Sequence, residues 1–247
     1  IELIEEPGGG APSSPAHGTA IAALLAGRAG SAAEGLLPGA RLIAVDAFSQ
    51  AGDRERTDVT RLVTALETLS DRGVRVINLS LSGPPNALLA KAIEAVIAKD
   101  IVVVAAAGNK GPGAEPAYPA AYPGVVAVTA VDRHLQIYAR ATHGDYIGLA
   151  APGVDVSTAN VPDGVAPRSG TSYAVPFVAA AAAIVRASQP ALSATMVDRR
   201  LFASARHLGE KGHDPVFGWG LVQAGGLCSA PVDEAAAGSA EGAIVPR

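Results

Sequence analysis

Between residues 74 and 106 two apolar runs, VRVINLSL and IVVVAA, flank a segment in which Leu89, Ile93, Val96 and Ile97 recur at helical spacing behind Asn86 as a cap. Upstream, residues 41–45 (RLIAV) read as a central strand. After them Thr57 or Asp58 can cap a helix with Val59, Leu62, Val63, Leu66 and Leu69 inward, stopped at Gly73. Residues 125–130 make one more strand. Apolar strands alternating with helices of this length predict an α/β fold: a doubly wound, mostly parallel sheet with helices on both faces, which gathers ligands beyond the carboxyl ends of its strands.

The remaining segments fit around that sheet. Residues 1–6 (IELIEE) alternate loosely and predict a short edge strand, and residues 7–15, rich in Gly, Pro and Ser, a loop. Residues 17–26 predict a buried helix ended by Gly27 in a left-handed conformation, and residues 28–40 a loop. Residues 146–158 hold short apolar pieces broken by Pro152 and Gly153; Ser193 can cap a last helix to about Ala205, and residues 217–227 return over the core. Residues 1–229 form one domain on this reading, and the acidic, Ala- and Gly-rich residues 230–247 a disordered tail.

With 49% hydrophobic but only 4% aromatic residues, the core has to be built from Ala, Val, Leu and Ile. A formal charge of −4 gives no reason to expect nucleic acid or an anionic membrane surface as partner. A lone cysteine, Cys228, excludes an intramolecular disulfide. The most apolar window, between Tyr173 and Val185, is too short for a membrane span and predicts a buried helix, bent near Pro176. Glu2, Glu5 and Glu6 have the wrong charge for the start of a signal peptide, and the chain begins at Ile1, so either a leader has been removed or the gene product is longer. H-E-x-x-H, a dinucleotide fingerprint and a P-loop are all absent, and the adjacent His213 and Asp214 read as surface residues rather than metal ligands.

Chemistry concentrates in three turns. In SGTSYAVPFVAAAAAIV, residues 169–185, a Gly-Thr-Ser turn runs into a small-residue helix, so Ser172 stands where free N–H groups favour negative charge on oxygen. Taken alone, Thr171 or Ser172 reads as a helix cap before it reads as a nucleophile turn. His17 opens the helix HGTAIAALLAG and by itself reads as a neutral histidine, while Asn109 follows an apolar strand in AAGN, where a turn residue is the plain alternative.

Together HGT, AAGN and GTS, with VINLSLSGP, AYPAAYPGVVAVTAVD and FGWGLVQAG, resemble the subtilisin-like serine proteases, in that family's order and over nearly the whole chain from His17 to about Gly226. The resemblance implies a serine endopeptidase with Ser172 as nucleophile, His17 as general base and Asn109 as side-chain donor to the oxyanion. It also implies an extended peptide paired with two backbone segments, Leu79, Ser80, Leu81, Ser82 and Gly83 on one side and Ala105, Ala106, Ala107 and Gly108 on the other. Ala117 and Ala120 stand where many relatives carry glycine, which implies a narrowed pocket before the scissile bond. No cofactor is implied. Nor is calcium, because residues 28–40 offer only Glu34 as a carboxylate, so a chelator is expected to leave the melting temperature unchanged. The resemblance implies a secreted or periplasmic compartment.

One element is missing: the family's Asp-Thr-Gly-like motif on a strand before the histidine. No Asp lies among residues 1–16. Asp46, at the end of RLIAV, is the substitute within the chain; the other expectation is an upstream fragment of the same precursor supplying both strand and aspartate. A non-catalytic peptide-binding relative is the alternative function.

Overall fold

The computed structural model describes residues 1–5, 11–51, 54–225 and 227. In order these form β1 (Glu2–Glu5), β2 (Ala11–Pro12), α1 (Pro15–Ala26), β3 (Ile43–Asp46), β4 (Ser49–Ala51), β5 (Arg54–Arg56), α2 (Val59–Asp71), β6 (Val76–Leu79) and α3 (Ala87–Ala98). There follow β7 (Val102–Ala106), β8 (Val125–Val131), β9 (Ile147–Pro152), β10 (Val156–Ala159), β11 (Val165–Arg168), α4 (Thr171–Ser188) and α5 (Ala194–Ala203). The expected tail at residues 230–247 and Cys228 lie outside the described residues.

Strands β6, β7, β8 and β9 form a parallel sheet in that order, and every residue of β7 is buried. Helices lie on both faces, as the α/β pattern requires. Val102, Val104, Val126, Val128 and Leu149 pack beneath α4 and α5, while Ile77 and Val103 pack with Leu66 of α2 and Leu89, Ile93 and Val96 of α3. Small side chains from Ala174 to Ala182 let α4 sit close to the sheet. At 18 residues α4 is long and apolar enough to cross a membrane by length and composition, a stretch longer than the sequence suggests, yet 61% of it is buried within the fold.

The caps are local and match expectation. Asp58, Asn86 and Ser193 each accept hydrogen bonds from the first turn of α2, α3 and α5. Gly27 departs from expectation: its φ of −54° is not left-handed. What it needs is room, since a Cβ there would lie 2.0 Å from the Ala33 carbonyl oxygen. Residues 11 and 12, expected in a loop, pair with β4, and the β10–β11 hairpin goes unsignalled among its turn residues. Of His213 and Asp214, expected at the surface, the aspartate is buried and the histidine half-buried. Asp214 is 6% exposed and accepts from the Val216 and Phe217 N–H groups, and His213 Nε2 lies 2.7 Å from the Ile147 oxygen.

The strand at residues 41–45 is also placed differently from a central one. β3 pairs only with β1, in parallel, and among the described residues no pairing joins β3 to β6. All four β3 residues remain partly exposed. Helix α2 follows β3 and leads to β6; it touches β3 while its Leu66 packs on Ile77 of β6. A helix with side chains is about 10–12 Å across and strands lie about 4.8 Å apart, so one helix spanning both edges leaves room for a single strand between them.

Candidate active site

The start of α4 is held by hydrogen bonds from both sides of the turn. Gly170, φ 150°, is the N-cap and makes no side-chain cap bond, so neither Thr171 nor Ser172 serves as the cap. Thr171, fully buried, accepts from the Gly108 N–H at 3.2 Å through Oγ1. The Asn109 Oδ1 accepts from the Thr171 N–H at 3.0 Å and from its hydroxyl at 3.1 Å. Because the Thr171 N–H can only donate, this pair fixes the amide with Oδ1 inward and leaves Nδ2 as the outward donor. Ser172 is the next residue, and its carbonyl oxygen accepts from the Ser80 hydroxyl at 2.8 Å.

His17 stands in the first turn of α1, which packs against α4, and its ring lies edge-on to Tyr173 with centroids 5.6 Å apart. Burial pushes the Tyr173 phenol up, partly offset by the Arg168 guanidinium. His17, Asn109 and Ser172 are thus gathered at two helix starts and one strand end. Asp46 is engaged elsewhere: Oδ2 accepts from the Ser13 hydroxyl at 2.7 Å and Oδ1 from the Phe48 N–H at 3.1 Å.

The expected peptide-pairing segments need correction. Ala105 lies opposite both Leu79 and Ala127, and Ala106 is paired with Val128, so β7 has a neighbour on each side. The Ala107 N–H goes to Val128 and its carbonyl receives the Tyr146 hydroxyl; the Gly108 N–H goes to Thr171 and its carbonyl receives the Thr142 N–H. With strands on both sides of β7 and the Ala107 and Gly108 groups bonded within the fold, this segment forms a wall rather than an added-strand edge. Leu79 is likewise paired, and Gly83 exchanges both its backbone groups with Tyr118, which leaves Ser80, Leu81 and Ser82 as the open stretch of that edge. Ala120 is 1% exposed and packs with Ala105 and Ala127, so its methyl fills core rather than pocket. Ala117 does face the wall, its Cβ 2.8 Å from where a Gly108 side chain would begin.

Sequence reasoning offered Thr171 only as a helix cap and missed its link to Asn109 and Gly108. Its place in the Gly-Thr-Ser turn was the only signal, and the partners that give it meaning are 62 and 63 residues away. Among the described residues no group of three or more His, Cys, Asp or Glu side chains is placed to hold a metal.

Comparison with known proteins identifies the family and the fold. The sequence profile of the subtilase family, Peptidase_S8, matches residues 4–220. Subtilisin Savinase of Lederbergia lenta is 34% identical over 210 residues, covering 84% of this chain and 76% of its own length. The minor extracellular protease Epr of Bacillus subtilis (strain 168) is 31% identical over 209 residues, also 84% of this chain but 32% of its own length, so the chain spans about a third of that relative. Among solved structures, the prenylagaramide maturation protease PagA superposes with a TM-score of 0.79 at 26% identity, covering 92% of this chain and 85% of its own. The self-cleaved protease domain of PatA gives the same TM-score at 28% identity, covering 92% of this chain and 88% of its own. The chain belongs to the subtilase family of serine endopeptidases.

Proposed function

We propose that this chain hydrolyses peptide bonds by acyl transfer at Ser172. The observation that carries the reading is the Thr171–Asn109 bond pair, which turns the Asn109 Nδ2 outward beside the serine. In the first step Ser172 Oγ bonds to the peptide carbonyl carbon while its proton passes to His17, and the carbonyl oxygen takes up the charge facing Asn109 Nδ2 and the Ser172 N–H. Collapse breaks the C–N bond and returns the proton from His17 to the leaving amine; water then releases the acyl group by the same path. Leu81 and Ser82 offer the main-chain edge for the substrate, and Ala117 with residues 105–108 bounds the pocket for the residue before the scissile bond. Ser172→Ala is expected to abolish hydrolysis and fluorophosphonate labelling while the circular dichroism spectrum stays that of the parent. Comparable turnover by the two would end the reading.

The acid that orients His17 comes, in this proposal, from a segment of the same precursor lying as a parallel strand between β3 and β6. Two edges unpaired among the described residues, under one helix, favour it: each would leave a row of N–H and C=O groups without partners, a cost of several kcal/mol against a typical net stability of about 5 to 15. Intact mass spectrometry of active, purified protein tests this. A second fragment, or a longer chain, with an aspartate ahead of His17 is expected; a fully active chain of residues 1–247 alone would turn attention to Asp46. The subtilisin relatives favour a secreted or periplasmic setting, which signal-dependent export of the full gene product would test.

A further inference from the structure

Resting on acyl transfer at Ser172, we propose that Arg168 binds a carboxylate on the leaving-group half of the substrate, within the first two residues after the scissile bond. The pairing of β10 with β11 sets Val156 opposite Arg168 and Thr158 opposite Ala166. Directly opposed residues share a face and alternate pairs return to it, so Arg168 and Thr158 project from the same side of the hairpin. The buried Thr158 hydroxyl donates to the Ala20 carbonyl of α1 at 2.7 Å, which identifies that side as the one lying on the histidine's helix.

On that face the guanidinium is only partly satisfied. Arg168 Nη2 donates to Asn160 Oδ1 at 2.7 Å, but Nε is buried with no hydrogen-bond partner, and no carboxylate among the described residues lies within ion-pair distance. Arg186, buried on α4, carries Asp100 as its counter-charge. The position of Arg168 relative to the chemistry follows from the seat of the hairpin on α1, whose His17 ring meets Tyr173 edge-on, and the pull of the guanidinium on the Tyr173 phenol agrees with it. Asn109 and the wall of residues 105–108 stand with Thr171, on the acyl side; His17, Tyr173 and Arg168 stand together. A histidine that protonates the leaving amine must have the leaving peptide beside it, so the unneutralised fork of Arg168 faces that half. Its planar donors suit a carboxylate better than any neutral group. The carboxylate is either an Asp or Glu side chain or the terminal α-carboxylate of a short leaving peptide.

Three matched quenched peptides separate these sources: Glu at the second position after the bond with an amidated end, Gln there with an amidated end, and Gln there as the last residue with a free carboxylate. In the active protein, complete with its upstream segment, the better carboxylate peptide is expected to exceed the neutral one in kcat/KM by about tenfold, the size of one charge-assisted hydrogen bond. That ratio should fall near one in Arg168→Gln, survive in part in Arg168→Lys, and shrink with added salt. Whichever of the Glu and free-carboxylate peptides leads identifies the source. A ratio near one in the parent, or an unchanged ratio in either variant that folds, overturns the proposal. If no peptide is cleaved, acyl transfer is what fails; anisotropy with the same peptides bound to Ser172→Ala still measures the carboxylate preference, and equal binding overturns it.

Discussion

Asn109 carries two duties on one amide. Its oxygen holds the Thr171 backbone and hydroxyl, and its nitrogen is thereby presented outward. Asn109→Ala removes both, so kcat is expected to fall by roughly two to three orders of magnitude, the size found for the corresponding donor in subtilisin itself. Thr171→Val separates the duties: it keeps the backbone bond to Oδ1 but deletes the hydroxyl that the Gly108 N–H uses. Its expected signature is a smaller fall in kcat together with lost stability, read from steady-state kinetics and the melting temperature. A Thr171→Val enzyme as impaired in kcat as Asn109→Ala, with unchanged melting, would show that the hydroxyl, not the amide, supports the charge.

At the scale of elements, Gly27 closes α1 by close approach. Gly27→Ala would drive a methyl into the Ala33 and Ala23 carbonyl oxygens, 2.0 and 2.7 Å away. Overpacking of this kind costs about 2 kcal/mol, or a fall of roughly 4 to 8 °C in melting temperature for a chain of this size. Calorimetry of the single variant checks it. The same position shows where the sequence stops being readable. Asp58, Asn86 and Ser193 could be recognised as caps because the N–H groups they serve lie within three residues. At Gly27 the stop was readable but its reason was not, because the nearest atom it avoids, the Ala33 oxygen, belongs to a loop beyond the helix. The apolar run at residues 101–106 announced a buried strand but not that both of its edges were occupied, so Ala105 and Ala106 looked available to a peptide. Ala120 was misread for a related reason: a methyl that fills core and a methyl that lines a pocket are the same letter. The order of His17, Asn109 and Ser172 was plain in the sequence, whereas the link through Thr171 exists only once β7 and α4 meet.

Across the whole molecule, the end of the sheet opposite the serine is tied by charge. Asp100, with φ 63°, receives Arg186, the Ala194 N–H and Arg75, and although desolvation opposes it, these partners hold its carboxyl below the usual range. Arg186 also donates to the Leu192 carbonyl. Asp198, on α5 nearby, is pushed up to about 8 by burial, only partly countered by Arg186, and its Oδ1 has no hydrogen-bond partner. The folded protein therefore holds this proton where the unfolded chain releases it. The stability due to that proton is present in full below about pH 3.8 and is lost as pH rises through about 8. Asp198→Asn keeps the neutral form at every pH. Its melting temperature is expected to match the parent near pH 4 and exceed it by a margin that widens up to pH 8 and then levels off; a constant margin across that range would refute the assignment.

The serine's helix is also the helix on which the sheet is built, with Ala174, Val175, Val178, Ala182 and Val185 all inaccessible to solvent. An opening large enough to offer this region of the chain as an extended substrate must lift α4 from β7 and β8, and with it Ser172 away from Asn109. A molecule in that state has no working site and cannot cut itself there. Self-digestion at such places then needs an intact copy to meet an opened one, so its rate should rise with the square of protein concentration and dilution alone should protect the enzyme.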